Sequence, residues 1–118
     1  MGALHAGHLK LIEMAGRSND LTICSIFVNP TQFNDKIDFE KYPVTLEEDI
    51  RLLLENHTDV VFVPGVGDIY PEGTANLPHF ELGDLETKLE GAYRPGHFQG
   101  VCQVVNRLLG IVRPDRLY

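Results

Sequence analysis

Two continuous apolar runs, "LTICSIFV" at residues 21–28 and "DVVFVP" at 59–64, restrict the fold more than any other feature of this chain. Neither alternates polar with apolar residues, so neither reads as a strand with one face in water; both read as strands covered on both faces. Each follows a helical pattern. Leu4, Leu11, Ile12 and Ala15 recur at helical spacing until the Arg17-Ser18-Asn19-Asp20 cluster stops them. Later, Thr45 and Glu48 form a T-x-x-E capping box, Ile50, Leu53 and Leu54 supply a core stripe, and Asn56 and His57 end the helix.

The order helix, strand, helix, strand predicts an α/β fold, a Rossmann-like open parallel sheet with helices on both faces. Between the first strand and the second helix, residues 29–44, "NPTQFNDKIDFEKYPV", form a polar connection longer than compactness needs, which suggests a functional loop. Past Pro64 the pattern weakens, with a short strand expected near His79 to Leu82 and a short helix over Leu85 to Glu90. Val101, Val104, Val105, Leu108 and Val112 then mark a longer amphipathic helix that Pro114 ends, and "PDRLY" reads as the approach to another strand. At 118 residues the whole chain, 1–118, is expected to form a single, partial nucleotide-binding domain. In a doubly wound fold a strand delivers the chain to the first helix, and none precedes it here, so the sheet is expected to lack its first strand and the chain to be cut at both ends.

Charge narrows the ligand. A formal charge of -7, with ten scattered Lys and Arg residues, argues against nucleic acid, since a phosphate backbone is neutralised by clustered cations. No apolar run approaches the roughly 20 residues of a membrane span, and no charged segment followed by an apolar one opens the chain. The protein therefore reads as soluble and cytoplasmic. Cys24 and Cys102 sit inside apolar segments without C-x-x-C spacing and read as buried free thiols.

His5 and His8 straddle Gly7 at a spacing of three. If a helix begins near His5, its first turn offers unpaired N–H groups and a positive dipole end, and Gly2 and Gly7 remove side chains that would hold a phosphate away. Both rings would then project beside an anion site. They are equally readable as incidental polar residues of a first turn. Zinc lacks a third ligand, because no H-x-x-x-H, cysteine cluster or paired carboxylate supplies it, so no metal site is expected. Asn29-Pro30 alone reads as a turn and Gln32 as an exposed polar residue.

"MGALHAGH" resembles the H-x-G-H signature of the nucleotidyltransferase superfamily. "SIFVNPTQF", "YPVTLEEDIRLL", "VFVPGVGDIYP", "LEGAYRPGHFQGVCQVVNRLL" and "IVRPDRLY" resemble, in order and spacing, the pantothenate synthetase (pantoate–β-alanine ligase) family across essentially the whole chain. The resemblance implies an ATP-dependent ligase of coenzyme A precursor biosynthesis that joins pantoate to β-alanine through a pantoyl-adenylate, releasing AMP and pyrophosphate. It implies that Met1, Gly2, Ala3, Leu4, His5, Ala6, Gly7 and His8 line the ATP site, with His5 and His8 on the phosphates, His8 as proton donor, and Mg2+ accompanying ATP. Gln32 would orient pantoate and then β-alanine, with Asn29 beside it; Glu90, Arg94 and His97 would shape the pocket wall, or Glu90 and Arg94 would pair as ions across a turn; Tyr42 would cap the pocket. A homodimer is implied for the complete protein.

The family usually has a strand ending in Pro-Thr before the Met-Gly motif, cationic Lys-Asp and Ser-Arg segments beyond Tyr118, and often arginine where Gln99 stands. With so few cations, the 118-residue chain alone is expected to bind ATP weakly and turn over little. The alternatives are another H-x-G-H adenylyltransferase, which "FVNPTQF" and "RPGHF" argue against, and a degenerate, non-catalytic fragment or interaction module of the same fold.

Overall fold

In a computed structural model describing residues 2–33, 37, 39, 41–88 and 90–118, with Glu90 described by its backbone alone, the two apolar runs pair in parallel. Strand β1 (Ile23–Ser25) lies beside β2 (Val60–Phe62) in the register Ile23 with Val60, Cys24 with Val61 and Ser25 with Phe62. The ladder is shorter than the apolar runs, because a run registers as strand only where its backbone meets a neighbour; Ile26 N–H to Phe62 O, at 2.9 Å, is its last bond. At its entry, Thr22 donates its N–H and hydroxyl to Asp59 Oδ2 at 2.7 and 2.8 Å, and these bonds hold the Asp59 carboxyl below the usual carboxylate range. Helices α1 (Ala6–Ser18) and α2 (Leu46–Glu55) precede the strands, as the sequence predicts for an α/β chain.

The described residues pack as two compact units that interleave along the sequence. One draws on Met1–Val28, Pro43–Pro64 and Arg116–Tyr118, the other on Asn29–Tyr42 and Gly65–Asp115. The first holds the strand pair, α1 and α2, with Ile26, Phe27 and Leu53 buried. Within it, Asn19 Nδ2 caps the end of α1 through Ala15 O at 2.9 Å and also meets the Tyr118 hydroxyl, and Arg116 donates to Ser18 O at 3.0 Å. No strand forms over 114–118: these side chains hold the end of α1 instead.

The α2 expectations need correction. Thr45 is the N-cap residue but makes no capping bond; its hydroxyl goes to Asp49 Oδ2 at 3.3 Å, while Glu48 pairs with Arg51. The stripe is also rotated. Leu53 is fully buried and Ile50 half-buried, but Leu54 is 64% exposed, and the residue that shares the buried face with Leu53, one turn earlier, is Asp49.

The second unit is organised by α5 (His97–Val112), which the apolar spacing predicts. It packs on a 3-10 turn at Pro30–Gln32 and on the short helices α3 (Val66–Ile69) and α4 (Glu90–Tyr93), with Ile69, Tyr70 and Val104 buried. No strand forms at His79 to Leu82, because Phe80 is bound as a strand neighbour would bind it, by a side chain: its N–H donates to Gln99 Oε1 at 3.0 Å and its carbonyl accepts from Gln99 Nε2 at 2.6 Å. One and two turns on, Gln103 Nε2 donates to Pro78 O and Arg107 Nε to Ile69 O. The helix expected over Leu85 to Glu90 is instead a 3-10 turn at Gly83–Glu86 followed by α4, with Leu89 outside the described residues. The break brings Gly91 against the turn so closely that a Cβ there would lie 2.2 Å from Leu85 O.

Candidate active site

The H-x-G-H segment folds as a helix start that caps itself with its own imidazoles. His5 is the N-cap of α1; its Nδ1 accepts the Gly7 N–H at 3.1 Å, and the His5 N–H donates to His8 Nδ1 at 3.3 Å. The rings stack with centroids 4.0 Å apart. An Nδ1 that accepts an N–H carries no proton, so each neutral ring holds its hydrogen on Nε2. The pair thus presents two Nε2–H donors. Partial burial, and then the neighbouring His5, push the His8 pKa below its ordinary value.

Just before the helix, Gly2 and Ala3 both have positive φ, +88° and +52°. Their turn is closed by Asp49, 1% exposed: Oδ2 accepts the Ala3 N–H at 2.9 Å and Oδ1 the Leu4 N–H at 2.7 Å. A left-handed alanine costs about 1–2 kcal/mol, and a hydrogen bond to a charged group contributes about 1.5–3 kcal/mol, so two of them outweigh the strain. Two backbone donors in the stretch that the resemblance assigns to the ATP site are therefore occupied by a side chain 45 or more residues away. Asp49 is the residue that sequence reasoning missed; a buried acid has no signal beyond an acidic position on the Leu53 face of α2. Met1 lies outside the described residues. Lys10, the cation nearest the histidines in sequence, is held by Glu13, which also binds Arg17.

The remaining candidates belong to the second unit. Asn29 is 1% exposed and saturated: Nδ2 donates to Thr31 Oγ1 and Gly100 O at 2.9 and 3.0 Å, and Oδ1 accepts from the Tyr70 hydroxyl at 2.9 Å and from Thr31 N at 3.3 Å. Gln32 differs. It is half-buried, and no hydrogen bond engages its amide side chain among the described residues, while its carbonyl accepts from His97 Nδ1 at 3.0 Å. That contact needs the hydrogen of His97 on Nδ1, the opposite tautomer from His5 and His8. Gly100 permits the approach: a Cβ there would lie 2.5 Å from Thr31 O and 2.8 Å from Gln32 Cα. The structure so brings Asn29, Gln32 and His97 together at one face of α5, and Tyr42 packs edge-on against Phe33 with centroids 5.5 Å apart. Arg94 is half-buried, its carbonyl accepting the His97 N–H at 3.0 Å. The Glu90 side chain, and with it the expected Glu90–Arg94 pair, lies outside the described residues.

Among the described residues, no three His, Cys, Asp or Glu gather as a metal site and no helix is long and apolar enough to cross a membrane. Both cysteines are free and half-buried, and burial pushes the Cys24 thiol up, away from reactivity.

The family model for pantoate-beta-alanine ligase matches residues 1–118. The chain is similar to the pantothenate synthetase of Bacteroides thetaiotaomicron, 50% identical over 118 residues that make up all of this chain and 41% of that protein. It is 54% identical to that of Azobacteroides pseudotrichonymphae over 119 residues, again all of this chain and 42% of the relative. The chain thus spans about two fifths of these curated relatives. Among solved structures, the pantoate-beta-alanine ligase of Francisella tularensis, complexed with beta-gamma ATP and beta-alanine, superposes with a TM-score of 0.91 at 48% identity, covering 98% of this chain and 44% of that one. The pantothenate synthetase of Thermus thermophilus gives 0.89 at 51% identity, with coverage of 98% and 42%.

Proposed function

The chain belongs to the pantoate-beta-alanine ligase family, and on that premise we propose that it carries the nucleotide and pantoate sites of an enzyme that condenses pantoate with β-alanine at the expense of ATP. A carboxylate is a poor electrophile. In the first step a pantoate carboxylate oxygen attacks the α-phosphorus of ATP, the bond from that phosphorus to the pyrophosphate oxygen breaks, and pyrophosphate leaves. In the second, the β-alanine amine attacks the acyl carbon of the mixed anhydride, an amide bond forms, and AMP leaves with the anhydride oxygen while the amine gives up its proton.

The observation that carries this reading is the self-capped His5–His8 pair. Its two Nε2–H donors are oriented before any nucleotide arrives, so they stabilise charge on the triphosphate without reorganising. His8, kept neutral by its environment, serves the attack as a hydrogen-bond donor. In the pantoate half, the Gln32 amide donates and accepts, and Asn29 holds the turn that presents it. Tyr42, Glu90, Arg94 and His97 form the wall in this reading. Mg2+ enters with ATP as part of the substrate, held by phosphate oxygens and water.

The reading takes 1–118 as one partial nucleotide-binding domain of a cytoplasmic enzyme that is a homodimer when complete; sedimentation of the complete protein checks the last point. With Lys10 held by Glu13, the 118-residue chain alone is expected to turn over far more slowly than a full-length relative. The test is to incubate the complete protein and the 118-residue chain with ATP, Mg2+, pantoate and β-alanine and to follow AMP. AMP release that ignores pantoate and β-alanine would sink the assignment, and absence of any turnover by the complete protein would favour a non-catalytic module of this fold.

A further inference from the structure

We propose that Asp49 is a positioning residue for the nucleotide end of the site: its buried carboxylate holds the Gly2–Leu4 turn, and through that turn the His5–His8 pair, in the geometry that receives a triphosphate. The proposal rests on reading residues 2–8 as the phosphate cradle.

Three observations carry it. Both carboxylate oxygens are committed to the turn, Oδ2 to Ala3 N–H and Oδ1 to Leu4 N–H, and the Thr45 hydroxyl adds a third bond at 3.3 Å on Oδ2. The turn conformation is one the chain does not favour by itself, with φ of +88° at Gly2 and +52° at Ala3. Gly2 is also pressed against the clamp: a Cβ on it would lie 3.2 Å from Asp49 Oδ2 and 3.6 Å from Ile26 Cγ2. Successive N–H groups in such a turn form a concavity that binds anions. An internal anion fills this one, which turns an incoming triphosphate away from the Ala3 and Leu4 amides and toward the ring Nε2–H groups.

A positioning role and a purely electrostatic one predict opposite signs. A negative charge beside bound phosphates opposes binding, so if Asp49 acted through its charge alone, Asp49→Asn would tighten ATP. If Asp49 acts by holding the turn, the same change faces an amide NH2 against a backbone N–H and releases the loop. Misplacing catalytic groups by about 1 Å costs on the order of a hundredfold in rate.

The experiment uses the complete natural protein. Asp49→Asn is expected to slow adenylate formation about a hundredfold and to weaken ATP while leaving pantoate affinity unchanged. Gly2→Ala, which keeps the carboxylate but drives a Cβ into it from a positive-φ position, is expected to give the same split, so the test survives if one variant fails to fold. In the unsubstituted protein without ligand, the Ala3 and Leu4 amide protons are expected far downfield and protected from exchange, as donors to a carboxylate. Tighter ATP binding by Asp49→Asn, unchanged adenylate formation in either variant, or fast-exchanging Ala3 and Leu4 amides would overturn the clamp. Failure of the unsubstituted protein to make adenylate would instead remove the proposed function and leave the amide result standing.

Discussion

The backbone N–H of His5 donates to Nδ1 of His8 while the two rings stack 4.0 Å apart, so one histidine caps the other and both are held as Nε2–H donors. His8→Ala is expected to slow adenylate formation roughly a hundredfold to a thousandfold, as the loss of one preorganised donor does, and to change pantoate affinity much less. Rapid-quench measurement of adenylate, beside calorimetry with pantoate, separates the two. His8→Asn, whose carbonyl can still accept the His5 N–H, is expected to retain the unfolding midpoint and lose the rate. Equal losses in rate and pantoate affinity would mark a structural histidine.

The pH dependence has a definite sign. Only neutral His8 offers Nδ1 a lone pair for the His5 N–H, and its pKa in the folded chain lies below the ordinary 6.5. The cap's contribution is therefore complete above 6.5 and is lost as the pH falls through the folded value. Proton NMR of the His8 ring without ligand is expected to give a midpoint below 6.5, moving upward in His5→Ala, which removes a like charge. ATP is expected to raise the midpoint too, since phosphate favours the charged ring. A midpoint above 6.5 in the free protein would contradict this geometry.

Gly100→Ala tests the pantoate half. The added Cβ would meet Thr31 O at 2.5 Å, a backbone atom with no rotamer to give way. Overpacking of this kind costs about 1–3 kcal/mol, and here the atoms displaced are those of the Gln32 turn. Pantoate KM is expected to rise with little change in ATP KM, and the chemical denaturation midpoint is expected to fall.

Asn29→Ala removes two buried hydrogen bonds at once, from the Tyr70 hydroxyl at 2.9 Å and to the Gly100 carbonyl at 3.0 Å. Each such bond contributes about 0.5–1.5 kcal/mol, so the loss is expected to exceed that of Tyr70→Phe, which takes one of Asn29's bonds and leaves its others in place. A double-mutant cycle by denaturant titration should show the two changes coupled. Additive effects would mean that Asn29 is not the hub of this cluster.

On α2, neighbouring leucines are expected to behave differently. Leu53→Ala should cost about 2–5 kcal/mol, while Leu54→Ala, at a side chain 64% exposed, should stay within about 0.5 kcal/mol. Thermal denaturation of both variants checks the direction in which the buried face of α2 points.

Much of the local order was legible. The two β-rich runs predicted strands and their parallel pairing, since neither alternates polar with apolar residues, but the expected cover on both faces is incomplete among the described residues, with Ile23 43% and Val60 41% exposed. The spacing from Val101 to Val112 predicted α5, and H-x-G-H followed by a helical pattern located the head of α1. The failures share one cause. Thr45 and Glu48 spell a capping box, but Asp49 offers the Thr45 hydroxyl a different acceptor. His79 to Leu82 resembles a strand, but Gln99 takes the Phe80 backbone groups. Leu54 completes an apolar stripe on paper, yet burial of Asp49 rotates the face of α2.

Composition, periodicity and short motifs determined the class of this protein: an α/β chain with a parallel strand pair, a histidine motif at a helix start, and a polar loop after its first strand. These are properties of neighbouring residues, which the chain brings together by itself. Which polar group satisfies which was decided only by the tertiary structure. Asp49 reaches Ala3 and Leu4, and Asn29 reaches Tyr70 and Gly100, across 41 to 71 positions of sequence. A buried donor or acceptor must find a partner, but no pattern in the sequence says how far away that partner will be.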